Sequence, residues 1–241
     1  HSRLYDDDDT PTAGPNGGPM IRTMMFPKSS ATMIDVWQVL GLRATGSDNY
    51  TVKDLFVPAS HTYARDSDEE RRDTGPIHRI PLLTFYGMVF SGLSLGVARS
   101  LLDDFIILAE TKVSGGATAP MRENAVIQSE VAQCEARLRS SRAFLHQMIE
   151  EHWEVAVSGE PFPLPLRAQL RTSITWAMNQ ARDVANYAYH AAGTNAIFES
   201  NAFERRFRDM HTIAQQGQGH RSNFEAAGQA YLGLTPSGHR V

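Results

Sequence analysis

Cysteine is almost missing from this 241-residue sequence: Cys134 stands alone, so no internal disulfide can form and a disulfide-stapled secreted scaffold is excluded. A reducing, cytoplasmic setting fits that composition. Long apolar runs are missing too. Gly, Ser, Thr or a charged residue interrupts every hydrophobic stretch before it reaches the roughly 18 residues a membrane helix needs. Positive charge is not in excess, because 23 basic residues against 27 acidic ones leave a formal net charge of -4. Without a basic field, no nucleic-acid partner is expected. The aspartates at 6–9 lack the alternating oxygens and the Gly of a calcium loop, so they read as a solvated charge run. No metal is expected. The sequence also opens at His1 with no initiator Met and no signal segment, and is expected to be a piece of a longer chain.

A hydrophobic content of 41% is enough to bury a sizeable core. Its patterning divides the chain into residues 1–58, 59–80 and 81–241. Residues 1–19 are turn-rich and read as a loop. Residues 20–26, 35–42 and 49–57 are short, β-branched and aromatic-rich segments punctuated by Gly46 and Pro58, which predicts strands. Three strands cannot close a barrel, so this is expected to be the C-terminal part of a β-domain whose partner strands come from elsewhere. The polar stretch 59–80 reads as a linker.

Beyond Pro81 the period becomes helical. Ile127, Val131, Cys134, Leu138, Ser141, Leu145 and Met148 step by alternating fours and threes, as do Leu170, Ile174, Ala177, Ala181, Val184, Ala188 and Ala191. Residues 82–108 supply a third apolar helix, with Gly87, Gly92, Gly96 and Ala98 where small residues admit close backbone approach. Short loops at Ser114-Gly115-Gly116 and after Gly159 make neighbours antiparallel. A final helical stretch over 201–232 completes a mainly α architecture, an antiparallel helical bundle preceded by a partial β-domain. His146 and His152 read as helix-surface residues.

Three local motifs carry chemistry beyond this pattern. Trp37, Leu40-Gly41-Leu42-Arg43-Ala44-Thr45-Gly46-Ser47, Tyr50 and Val57-Pro58 resemble the last β-domain strands of acyl-CoA dehydrogenases and their flavin monooxygenase relatives. Tyr189-His190-Ala191-Ala192-Gly193-Thr194-Asn195 is similar to that superfamily's glycine-rich turn, with Arg205, Arg208 and Asp209 at its usual Arg and Arg-Asp positions. Gln128 stands at the start of the second helix, where the family commonly has Gln. The resemblance covers about residues 20–234.

It implies a homotetramer centred on this bundle, binding part of a neighbour's FAD, or alternatively FMN, through Gln128 and the turn at Gly193, Thr194 and Asn195. A Gly-containing turn lets backbone N–H groups approach a pyrophosphate. By itself the same turn reads more readily as a helix C-terminus closed by Gly193, and only the surrounding motif reverses that. Thr45 and Ser47 are candidate hydroxyl contacts to the flavin, although both residue types are ordinary turn formers. The Arg and Arg-Asp positions brace the turn in the family and are not catalytic.

Acyl-CoA dehydrogenases need a carboxylate to remove an α-proton. In most it follows the Arg-Asp pair, but residues 210–220 contain no Asp or Glu, and neither do residues 82–102, where other members place it. The related monooxygenases instead activate oxygen as a flavin hydroperoxide and often use a His in this C-terminal stretch. The matching position is Gln216, and His220 lies one helical turn further on; His211 precedes both. Imidazole suits proton transfer near neutrality, yet each His is also readable as a surface or interface residue. The resemblance therefore implies a two-component monooxygenase acting on a small-molecule substrate, with Gln216 and His220 as catalytic candidates. A flavin reductase would supply its electrons, or an electron-transfer flavoprotein would be the redox partner of a dehydrogenase whose base is unusually placed. A catalytically silent, oligomerising helical scaffold is the reading from outside enzymology.

Overall fold

The structure, a computed structural model, describes residues 1–14, 19–64, 67 and 69–236. Residues 15–18 of the turn-rich amino-terminal stretch, and Asp66 and Asp68 of the acidic run, lie outside the described residues. The chain forms two compact units, one of His1–Gln38 and Ala44–His78, the other of Val39–Arg43 and Arg79–Val241.

Among the described residues the first unit holds five short strands: β1 (Ser2–Arg3), β2 (Ile21–Met24), β3 (Thr32–Ile34), β4 (Asn49–Thr51) and β5 (Thr62–Tyr63). They pair within the chain, as an antiparallel three-stranded sheet in the order β1-β2-β5 and a separate β3-β4 ribbon. Met33 opposes Tyr50 in the ribbon, and Thr23 opposes Tyr63 in the sheet. Arg22 ties β2 to its neighbour by donating to Thr62 Oγ1 at 3.0 Å and to both carboxylate oxygens of Glu70 at 2.8 and 3.0 Å. Three expectations are corrected. The amino-terminal residues are not only loop, since they contribute β1 and a bridge between Tyr5 and Pro11. The stretch 59–80 contributes β5. Residues 35–42 form no strand, because Val39–Arg43 leaves the first unit and packs with the second.

The second unit is an antiparallel bundle of α1 (Leu82–Thr111), α2 (Ala125–Ser158) and α3 (Leu164–Ala191), completed by α4 (Ala202–Ile213) and α5 (Ser222–Tyr231). Helices α2 and α3 have identifiable starts or stops. The Asn124 side chain accepts from the backbone N–H groups of Val126 and Ile127, which caps α2. Gly159, at φ 85°, ends it in the left-handed conformation that only glycine adopts without strain. Pro165 sits in the first turn of α3, where its missing N–H costs nothing.

Both expected stripes face the core. Cys134, Leu138, Ser141, Leu145 and Met148 are buried on α2, and Leu170, Ile174, Ala177, Ala181, Val184 and Ala188 on α3. Burial holds the Cys134 thiol up at a pKa of about 11. Helix α3 is buried well beyond one stripe, with Ala168, Ser173, Thr175, Met178 and Ala185 also enclosed, so it is the central rod of the unit. Gly87 does admit close approach, because a Cβ there would lie 2.8 Å from Ile174 Cδ1. Gly92 and Gly96 do not; they face open space. His152 is corrected as well. It is 1% exposed and stacks on Phe162 with ring centroids 5.6 Å apart. The final helical stretch is two helices, broken over residues 214–221. No helix among the described residues is long and apolar enough to cross a membrane.

Candidate functional site

Two places in the second unit gather the residues that the sequence singled out. At one end of the bundle, α3 runs into a 3-10 turn over Gly193–Ile197. Gly193 has φ +57°, so it closes α3 and opens the turn at once. The Lys112 ammonium, just past α1, donates to Ala192 O at 2.6 Å and satisfies the helix's carboxyl end. It also lies 3.3 Å from where a Cβ on Gly193 would be. The backbone N–H of Met121 returns to Lys112 O at 2.8 Å, and Gln128 Nε2 donates to Arg122 O at 2.9 Å. This chain of contacts brings Gln128 and the turn to the same end of the bundle. Thr194 is exposed, and Asn195 O accepts from Asn201 Nδ2 at 2.8 Å. Sequence reasoning missed Lys112, although a Lys at the end of an apolar helix was a usable signal.

The chemistry of this end suits an anion on two counts: Gly193 presents no side chain there, and the Lys112 ammonium, Gln128 amide and Thr194 hydroxyl are donors of positive or neutral charge. Thr45 and Ser47 belong to the first unit, both exposed, with Thr45 in a short 3-10 turn over Arg43–Thr45.

Elsewhere in the unit, the 214–221 break forms a loop rather than a helix. Gln216 caps a 3-10 turn over Gly217–Gly219, its side chain accepting from the Gln218 N–H at 2.7 Å. His220 follows the turn, exposed, with Nδ1 2.7 Å from Ser222 Oγ. Gln216 and His220 therefore share one loop and not one helical face. His220 lines a pocket of about 340 Å³ with Leu83, Arg171, Gly217, Gln218 and Asn223. His211 lies apart on α4, with Nε2 2.9 Å from Asn186 Oδ1 and its ring 4.3 Å from that of Phe207. Burial, with Arg182 and His190 adding to it, lowers its pKa below the ordinary histidine value. Among the described residues, no group of three His, Cys, Asp or Glu side chains could hold a metal ion.

Arg208 and Asp209 brace something other than the glycine turn. Asp209 Oδ1 accepts from the Leu42 N–H at 2.7 Å, and Arg208 donates to Leu40 O at 2.8 Å while pairing with Glu204. Gly41 between them lies against α4 so closely that a Cβ would come 2.3 Å from Arg208 O. Arg206, which the sequence did not single out, pairs with Asp104 of α1.

Comparison with known proteins places the chain among its relatives. The chain is 31% identical over 215 residues to indole-3-acetate monooxygenase of Pseudomonas putida, covering 89% of this chain and 55% of that protein. It is 23% identical to the flavin-dependent monooxygenase oxygenase subunit HsaA of Rhodococcus jostii, covering 81% and 55%. Among solved structures, XiaF from Streptomyces sp. in complex with FADH2 and glycerol has the same fold, with a TM-score of 0.85 at 20% identity over 98% of this chain and 60% of that one. The chain thus spans 55% of the length of the two curated relatives. The acyl-CoA dehydrogenase C-terminal domain family matches residues 88–220, more than half of the sequence, and the chain belongs to that family.

Proposed function

We propose that this chain is the cofactor-holding, loop-bearing part of a flavin-dependent monooxygenase that hydroxylates a small substrate, aromatic in keeping with the name of its Pseudomonas relative. The observation that carries the reading is the 214–221 loop. Where a dehydrogenase of this fold needs a carboxylate base, the loop carries Gln216 and His220 and no acidic side chain.

Lys112, Gln128 and the turn at Gly193, Thr194 and Asn195 would hold the diphosphate of FAD, with FMN as the alternative. Reduced flavin would supply two electrons to dioxygen, placing one oxygen atom on the substrate and releasing the other as water. The chain's own work is binding and orientation. Lys112 ties down the carboxyl end of α3 where the turn begins, and Leu83 gives the pocket beside His220 an apolar wall. His220, whose Nδ1 accepts from the Ser222 N–H at 3.3 Å, would offer its Nε2–H to donate a proton to the substrate and later take it back. Thr45 and Ser47 are further candidate flavin contacts. A separate flavin reductase is the expected electron source, since the Rhodococcus relative is named an oxygenase subunit. The single buried thiol fits a cytoplasmic enzyme. A homotetramer centred on the bundle is the expected assembly, checked by light scattering.

The test is made on the full-length protein. Oxygen-dependent hydroxylation with externally supplied reduced flavin supports the reading. Bleaching of bound oxidised flavin by an acyl-CoA ester, with no added reductant, overturns it.

A further inference from the structure

The stripe Arg171, Thr175 and Asn179 recurs every four residues on α3, one turn apart, in the middle of the apolar core. With Gln218 and Asn223 these are five polar side chains, each less than 9% exposed. Polar groups in such a place lose their water, which is destabilising unless hydrogen bonds replace it. Here the replacements go largely to one target, the 214–221 loop.

Gly217 O accepts from Asn223 Nδ2 at 3.0 Å. Gln218 O accepts from the Thr175 hydroxyl at 3.0 Å and from Asn223 Nδ2 at 2.9 Å. Gly219 O accepts from Asn179 Nδ2 at 3.0 Å. Three consecutive carbonyls are thus caught by fixed side chains, and Arg171 holds the Gln218 amide oxygen as well. The loop is also closely packed. A Cβ at Gly219 would lie 3.1 Å from Met178 Cε, and one at Gly87 would lie 3.1 Å from Gln218 Oε1. Helices α1 and α3 therefore close on the loop from two sides, and the pocket lined by His220 opens beside it.

We propose that Thr175, Asn179 and Asn223 are positioning residues: they fix the path of residues 216–220 and thereby the placement of His220 at the pocket. The proposal rests on the monooxygenase reading for its chemistry. The anchoring itself can be read without any turnover.

The experiment uses the full-length enzyme with Thr175→Val, Thr175→Ser and Asn179→Leu, and two readouts. Hydrogen exchange at 217–220 reads the anchoring. Losing one buried hydrogen bond to the loop is expected to speed exchange there about tenfold in Thr175→Val, with α1 and α2 unchanged and Thr175→Ser close to the parent. The second readout divides consumed oxygen between hydroxylated product and hydrogen peroxide when reduced flavin is supplied. A misplaced loop is expected to lower the product share severalfold at unchanged flavin affinity, with rescue by Thr175→Ser.

Unchanged exchange at 217–220 in both Thr175→Val and Asn179→Leu overturns the anchoring. Faster exchange with an unchanged product share overturns the functional consequence and leaves the polar stripe a structural feature. Failure of the unsubstituted enzyme to form any oxygenated product sinks the monooxygenase reading, while the exchange measurement still decides the anchoring. Should Thr175→Val not fold, Asn223→Ser removes a donor to the Gly217 and Gln218 carbonyls, and the same two readouts apply.

Discussion

Replacing Gly41 by Ala adds one methyl group where the fold has no room for it. The added Cβ would come 2.3 Å from Arg208 O, 2.4 Å from Arg208 C and 2.6 Å from Asp209 N. All three are backbone atoms of α4, so no side-chain rotamer can relieve the overlap. Relief requires Leu40–Leu42 to lift away from the helix. Lifting strains the Asp209 bond to the Leu42 N–H and the Arg208 bond to Leu40 O, each charge-assisted and worth roughly 1.5–3 kcal/mol. Overpacking in a filled site costs about 1–3 kcal/mol by itself. The expected loss is therefore about 3 kcal/mol, and at roughly 2–4 °C per kcal/mol for a domain of this size the melting temperature falls by about 6–12 °C. Gly96→Ala is the matched control. It adds the same methyl to an α1 surface with nothing within 4 Å, and is expected to stabilise by about 0.5–1 kcal/mol through helix propensity. Thermal unfolding followed by circular dichroism reads both. A Gly41→Ala protein that melts within about 2 °C of its parent would show that the 39–43 segment is not clamped to α4, and the packing argument would fail.

Three further outcomes are expected. His152 and His211 both have pKa values lowered, chiefly by burial. The unfolded chain therefore binds their protons first, and stability present above about pH 6.5 is lost as pH falls through that value and below; melting scans from pH 7.5 to 5 should show the decline, and His152→Leu should shrink it. Cys134, with its thiol pushed up to about 11, should resist a disulfide reagent at pH 8 and react only after denaturant is added; prompt labelling of the folded protein would contradict its burial. Gly193→Ala should cost about 1–2 kcal/mol for its left-handed backbone and weaken retention of added flavin in the full-length protein; equilibrium dialysis distinguishes the second effect from the first.

The helices were legible because their information is local. Ile127 to Met148 repeats at helical spacing whatever lies elsewhere, and the next step of four along the α2 stripe reaches the buried His152. His152 was misread because its cover, Phe162, comes from the following loop. The break after Ile213 was also written locally, in Gly217 and Gly219, but was overridden by the run of helix-compatible residues around them. Residues 35–42 failed for the opposite reason. Their β-branched and aromatic content resembles a strand, and what decides their fate is a carboxylate 167 positions away, Asp209. The motif that identified the family survived this error, because Gly41 is demanded by the α4 backbone whether or not its neighbours form a strand. At the candidate site, Gln128 and the Gly193 turn stood out as types, while Lys112 and the polar stripe on α3 acquire meaning from partners that sequence spacing does not reveal.

Helix α3 also acts as a ruler. Its polar stripe fixes the 216–220 loop near Thr175, and its carboxyl end delivers the turn at Gly193. The 18 positions between them span about 27 Å at the rise of an α-helix. Side chains along that span can be exchanged for others of similar volume without altering the separation. Adding or deleting one residue cannot be absorbed in the same way, since it shifts the turn by about 1.5 Å and rotates it by about 100° about the axis. Residues 180–191 should thus tolerate substitution far better than any change in length, and lineages descended from this fold are expected to differ in loop lengths at 112–124 and 159–163 while keeping the register of α3 intact.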